Sequence, residues 1–274
     1  MILIVASKRD VASLNIAEHL ASEYPFQKTS ETHNETEIQT AAINQKELKL
    51  VTLNQELVYA QDLTSSFTNP QLVIFISRHS SESGTPTLSV HTPGNIAEAE
   101  LGGLPRKVSV SPANAMRNAL KALHHLKNEL NLNYEVSYEG THHGPSLDVP
   151  TMFAELGSSP AQWNDMKAAK AVAHATIKAA LHFGDNHAKA VLGIGGPHYN
   201  AKFTKIALEN NIAFGHIIPK YAIHRLSEEM LTQCVERTLE PVAYAVLDWK
   251  GIKSEDKQPL INMLNKLGLP YEKT

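Results

Sequence analysis

Two nearly unbroken apolar runs, Ile2–Ala6 (ILIVA) and Gln71–Ile76 (QLVIFI), constrain this chain most. Short runs rich in Ile and Val with no polar alternation are strands buried on both faces, as in parallel sheets flanked by helices. The second half alternates the two element types. Strands are predicted at Tyr134–Tyr138, Val149–Leu156, Ala190–Ile194, Ile212–Ile217 and Val242–Leu247. Helices are predicted at about Asn164–Phe183, 200–210, Ser227–Leu239 and Lys257–Leu267. That alternation indicates a mainly parallel sheet with helices on both faces, a three-layer α/β sandwich. An early helix is expected over Val11–Ser22, with Leu14, Ala17 and Leu20 on one side.

Residues 28–46 carry no aromatic and many Thr, Glu and Asn, and read as a surface excursion. Leu48–Leu53 and Leu57–Tyr59 are β-like, and residues 77–110 hold most of the loop signals. Loops that long in a compact domain are usually functional. Ser111 is the expected N-cap of the next helix, with Pro112 at its first position and Met116, Leu120, Leu123 and Leu126 on its buried face. The reading is one α/β domain over 1–274 with a β- and loop-rich insertion around 45–110.

The only cysteine, Cys234, excludes a disulfide framework and a thiolate-rich metal site, and it fits a reducing cytosol. No stretch approaches the ~20 apolar residues of a membrane span, and the MILIVAS start is too short for a signal-peptide core. A cytoplasmic protein without membrane partners, a monomer or small homo-oligomer, is expected. The net charge of −3 argues against a chain coated in positive charge. A local basic track remains open: Arg117 and Lys121 share a helix face, and Lys8, Arg9, Arg106 and Lys107 could extend it along a nucleic-acid backbone. An ordinary solvated helix face is the competing reading.

Fourteen histidines are many for 274 residues, and their placement matters more than their number. Four predicted strands end in polar, mostly His-bearing segments. These are Ser77-Arg78-His79, Glu139 to Pro145 (EGTHHGP), Gly195-Gly196-Pro197-His198-Tyr199, and His216 followed by Pro219-Lys220-Tyr221. Ligands of open α/β sheets bind beyond the carboxyl ends of the strands, so parallel strands would gather these segments at one edge. His142 and His143 suit metal ligation or general base catalysis, with Glu139 and Glu155 close by in the chain. Adjacent residues on an extended chain point to opposite faces, whereas a loop beside Gly144 lets both rings converge. Gly195-Gly196 resembles a phosphate-cradling turn but lacks both the third glycine of the dinucleotide fingerprint and a Walker lysine, and a plain tight turn explains it equally well. Lys220 is either an oxyanion or phosphate partner or a surface lysine. No G-x-S-x-G elbow is present and Cys234 falls within a core helix, so activated water is the better hydrolytic agent.

Three long segments carry a family resemblance: SRHSSESGTPTLSVHTPGN (77–95), EGTHHGPSLDVPTMFAELGSSPAQW (139–163), and GIGGPHYNAKFT (193–204) together with GHIIPKYA (215–222). With the MILIVASKRDVASLNI start, the chain resembles the archaeal and plant type of D-aminoacyl-tRNA deacylase over essentially its whole length. The resemblance implies hydrolysis of the ester between a D-amino acid and the terminal adenosine of tRNA, over a range of D-amino acids. It also implies dependence on Zn2+, the tRNA acceptor end as partner, and a phosphorylase/peptidyl-tRNA hydrolase-like sandwich with an insertion. A related peptidyl-tRNA hydrolase or zinc aminopeptidase, and a non-catalytic tRNA-end binding module, are the alternatives. The resemblance does not sort the matching positions into metal and tRNA-end contacts. By their chemistry His142, His143, His198, Glu155 and His216 are the expected zinc ligands, with His142, His143, Glu155 and Lys220 in catalysis. A metal-free route assisted by the ribose 2′-OH is the alternative. Arg78, His79, Glu82, His91, Thr141, Gly195, Gly196, Tyr199 and Tyr221 are expected to touch substrate.

Overall fold

A computed structural model of the chain describes residues 1–33, 36–67, 69–82, 84–185 and 187–274. Its elements run β1 (Ile2–Ser7), α1 (Val11–Glu23), β2 (Gln27–His33), β3 (Thr36–Ile43), β4 (Lys46–Leu53), β5 (Leu72–Ser80), β6 (Thr87–His91), β7 (Gly94–Asn95) and β8 (Lys107–Val108). There follow α2 (Ala113–Glu129), β9 (Glu135–Tyr138), β10 (Thr151–Ser158), α3 (Pro160–Trp163), α4 (Met166–Leu181), β11 (Lys189–Ile194) and α5 (Ala201–Glu209). The chain continues through β12 (Ile212–Ile218), α6 (Glu228–Glu236), β13 (Ala245–Leu247), α7 (Ser254–Leu267) and β14 (Tyr271–Lys273).

The larger sheet has the order β2-β3-β4-β1-β5-β10-β6-β9. Its centre, β4-β1-β5-β10, is parallel, as the uninterrupted apolar runs require. Ile2, Ile4 and Ala6 face the core under the helices, while Leu3 and Val5 pack the opposite core with Leu57, Leu63 and Phe67. Helix α4 packs against α1 and α2, and its Ala168, Ala171, Ala175 and Ala179 are fully buried. Small side chains let these helices approach closely. The strands β12-β11-β13-β14 form a second, wholly parallel sheet rather than continuing the first. One of its faces joins the main core through Val191, Phe214 and Val246, and the other packs against α6 and α7. The α/β architecture with a large mixed sheet is the one expected.

Four local expectations change. Residues 28–33 lie in β2 and 36–43 form β3, which extend the sheet antiparallel from β4, while residues 34 and 35 lie outside the described residues. Their polar composition reflects an edge position, since β2 is exposed along most of its length and only Ile38 and Ala41 supply apolar burial in β3. Leu57–Tyr59 is a 3-10 turn, not a strand. Ser111 does not cap α2. Pro112 occupies that position, and the free amides of Ala113 and Asn114 instead donate to the buried carboxylate of Glu240. Arg117 is no part of a basic track, because its buried guanidinium donates to the carbonyls of Ala207 and Asn210 at the end of α5. Cys234 is buried, and burial pushes its thiol up to about 12. Among the described residues no helix is long and apolar enough to cross a membrane.

Candidate active site

The carboxyl ends of β5 and β10 lie side by side, with Ser77 opposite Glu155 and His79 opposite Gly157. From the other flank β6 sets His91 opposite Phe153 of β10. Just past β9, Glu139 bridges to Tyr199, which brings the loop after β11 and its His198 from the second sheet onto the first. Sheet register and this bridge thus place five distant segments at one rim.

Two buried carboxylates stand among five imidazoles there. Glu139 Oε2 lies 3.0 Å from His198 Nε2, 3.7 Å from His142 Nε2 and 3.8 Å from His91 Nδ1. His79 Nδ1 is 3.3 Å from both Glu139 Oε1 and Glu155 Oε2. Glu155 Oε1 accepts from Ser77 Oγ at 2.5 Å. His143 adopts φ +42°, which breaks the strand alternation and brings its ring centroid within 4.2 Å of that of His142. The turn is held by a close backbone approach: a Cβ on Gly144 would lie 2.1 Å from Gly103 N and 2.5 Å from Val58 O, so only glycine fits.

His142 Nδ1 lies 2.8 Å from Gly140 O and His143 Nδ1 lies 2.7 Å from Gly144 O. A carbonyl can only accept, so each Nδ1 carries the proton and each Nε2 presents a lone pair. Burial lowers the pKa of His143 to about 4 and drives His91 and His142 well below the usual histidine range, the Glu139 charge opposing it. These three are neutral bases at pH 7. Burial also disfavours charge on His79, but Glu139 and Glu155 outweigh it and raise His79 to about 9. Glu139 shows the reverse balance. Burial would raise it, yet the His198 hydrogen bond and the neighbouring imidazoles hold it well below the ordinary carboxylate range. Glu155 is raised, first by burial and then by the Glu139 charge.

The donor set fits a metal ion. Both ring nitrogens of His91 are buried without a hydrogen-bond partner, an arrangement that is costly unless a cation meets one of them. Among the described residues, three overlapping groups have ligand atoms mutually within 4.8 Å: His91, His142 and His143; His79, Glu139 and His198; and His91, Glu139 and Glu155. Imidazole nitrogen with carboxylate oxygen is a donor set for zinc and similar divalent ions.

Other expected residues take different places. His216 is fully buried outside these groups, with Nδ1 3.2 Å from Thr141 Oγ1 and Nε2 3.3 Å from Arg237 O. Both nitrogens are engaged within the protein, so His216 offers no lone pair to a metal and leaves the ligand set. Thr141 ties the histidine loop to β12, its Oγ1 also accepting from Ile217 N. The Gly195-Gly196 turn, at φ +103° and +77°, closes on Asn200 and on the Asp248 carboxylate, which leaves no open cradle for a phosphate. The Lys220 and Glu82 side chains are exposed and line neither cavity at the site. Tyr221 is half exposed, its hydroxyl 3.1 Å from His198 Nδ1, and the Tyr199 ring lies 5.1 Å from that of His79. Arg78 lies at the rim, paired with Glu56 at 3.2 Å and set over Trp163. Glu139 is the residue that the sequence reading left out of the ligand set, although it stands three residues before His142. Its signal is an acid directly after the Tyr134–Tyr138 strand and just before the histidine pair.

Two cavities of about 510 and 260 Å3 meet on His142, His143 and Leu101. The sequence pattern of the family described as D-aminoacyl-tRNA deacylase matches residues 66–272. The chain is 38% identical over 279 residues to the D-aminoacyl-tRNA deacylase of Thermococcus kodakarensis, with 99% of each chain covered. It is 36% identical to that of Pyrococcus furiosus, with both chains covered in full. Its fold also superimposes on the crystal structure of a conserved protein of unknown function, AF0625, with a TM-score of 0.87 at 28% identity, covering 100% of this chain and 95% of the other. A full-length match of this depth, on a fold that gathers the matched histidines at one rim, makes this chain a member of the D-aminoacyl-tRNA deacylase family.

Proposed function

We propose that this protein hydrolyses the ester between a D-amino acid and the terminal adenosine of tRNA, with zinc as its resident metal, releasing the free D-amino acid and tRNA. The observation that carries the reading is the cluster of two buried carboxylates and five imidazoles at the floor of an open cleft, in a chain of this family. An aminoacyl ester is already activated, so the reaction needs a positioned water and a place for the charge on the carbonyl oxygen. When bound, zinc lowers the pKa of water to about 7 and polarises the carbonyl. His142 and His143 line the cleft with unprotonated Nε2 atoms and would hold the metal, together with His91, Glu139 and His198. Glu155, braced by Ser77 and His79, is the group we assign to take a proton from the attacking water and deliver it to the departing ribose oxygen. The carbonyl carbon gains the water oxygen and loses the ribose oxygen, leaving a carboxylate and a tRNA hydroxyl. We take the enzyme to act in the cytoplasm, where aminoacyl-tRNA is made, on a range of D-amino acids.

Purified protein given D-Tyr-tRNA, L-Tyr-tRNA and N-acetyl-Tyr-tRNA tests this. Turnover of the D-ester alone is expected. Cleavage of the N-acetyl substrate in preference would make the protein a peptidyl-tRNA hydrolase, and binding without turnover would make it a tRNA-end binding module.

A further inference from the structure

We propose that the two cavities meeting on His142 and His143 divide the substrate between them, the larger taking the terminal nucleotide of tRNA and the smaller the aminoacyl group, with Ala97 limiting the size of the D-side chain. The assignment rests on the deacylase reading above.

The cavities differ in chemistry as well as size. The larger, about 510 Å3, offers the exposed hydroxyl of Ser80 and the half-exposed ring of Tyr59, a flat apolar face on which a nucleobase can stack. Its acids are already committed. Both Asp10 oxygens accept backbone amides, from Ser13 and Arg78, and Glu56 is paired with Arg78. The guanidinium of Arg78 stands at this rim, donating to the carbonyl of Arg9, whose own exposed side chain adds a second cation beside Asp10. A polynucleotide leaving this side meets positive charge.

The smaller cavity, about 260 Å3, is lined by Ile96, Ala97, Leu101 and Ala222. Two acids, Glu98 and Glu100, face one base, Arg225, which pairs with Glu98. Phosphates are repelled there, whereas the ammonium group of an aminoacyl ester is attracted. Leu101 and the two histidines are common to both cavities, so an ester lying across them sets its carbonyl beside the histidine pair. Ala97 is half-buried in the loop after β7 with a single methyl group, so enlarging it takes space only from the aminoacyl side.

The test compares kcat/KM for D-Ala-tRNA and D-Tyr-tRNA in wild type, Ala97→Leu and Arg9→Ala. In Ala97→Leu, D-Tyr-tRNA should lose about tenfold and D-Ala-tRNA no more than about twofold. Arg9→Ala should raise KM equally for both and flatten the salt dependence. The milder Ala97→Val serves if the leucine variant does not fold. Wild type inert towards both substrates overturns the deacylase reading and this assignment with it. An active wild type whose D-Tyr/D-Ala ratio is unmoved by either Ala97 variant, or is moved by Arg9→Ala, overturns the assignment alone.

Discussion

The Ser77 hydroxyl donates to Glu155 across the β5–β10 pair at 2.5 Å, while the other oxygen of the same carboxylate lies 3.3 Å from His79 Nδ1. Both Glu155 oxygens are therefore oriented before any ligand arrives. Ser77→Ala removes one constraint and leaves the strand intact. General acid–base catalysis contributes about 10²–10⁴-fold, and a base held by one contact fewer loses part of it. Ser77→Ala should accordingly lower kcat/KM by about tenfold and leave zinc affinity at the wild-type value, read by ester turnover and by competition with a fluorescent chelator. Wild-type turnover would remove the serine from the site.

The unpartnered nitrogens of His91 make the metal-free site costly. Dialysis against a chelator should abolish ester hydrolysis and lower the melting temperature, and added zinc should restore both. A His142→Ala/His143→Ala double variant should keep its far-UV circular dichroism while losing bound metal in elemental analysis. Full activity in that variant would refute the ligand set.

His216 gives a pH dependence separate from catalysis. Burial lowers its pKa to about 4 in the folded state, against about 6.5 in an unfolded chain. Between these values the unfolded chain binds the proton and the native state does not. The contribution is thus complete above pH 6.5 and is lost as pH falls towards 4, amounting to about 3 kcal/mol. His216→Gln should reduce the slope of the denaturation midpoint over this window, the buried His91, His142 and His143 supplying the remainder. An unchanged slope between pH 4 and 6.5 would exclude the histidine as its source.

Glu240 caps α2 from more than a hundred residues away, accepting from the amides of Ala113 and Asn114. Glu240→Ala strips both amides of their buried partner at the positive end of the helix. A loss of about 2 kcal/mol in urea denaturation is expected, with kcat/KM unchanged at 25 °C because Glu240 lines neither cavity. A variant as stable as wild type would show that water replaces the carboxylate.

Much of the site was legible because its residues end apolar strands. Ile2–Ser7 and Leu72–Ser80 announce a parallel sheet centre, and the rim where His79, His142, His143, Glu155 and His198 meet follows from the strand directions. His216 shows the limit. It also stands on an apolar strand, but nothing in its local sequence tells that Thr141 and the Arg237 carbonyl occupy its nitrogens. Arg117 and Ser111 fail for the same reason, since their partners come from remote segments. The edge strand β2 and its neighbour β3 escape notice because strands at the margin of a sheet need little apolar periodicity. Glu139 was visible as a residue but not as a hub, which takes the crossing of β9 with the loop after β11.

That crossing has a mechanical consequence. Glu139 belongs to the eight-stranded sheet and His198 to a loop of the four-stranded one, and their 3.0 Å contact spans the seam between the two. Opening this seam would part those donors and also lay bare the core that Val191, Phe214 and Val246 share with the larger sheet. Loss of function on heating or in denaturant should therefore coincide with bulk unfolding.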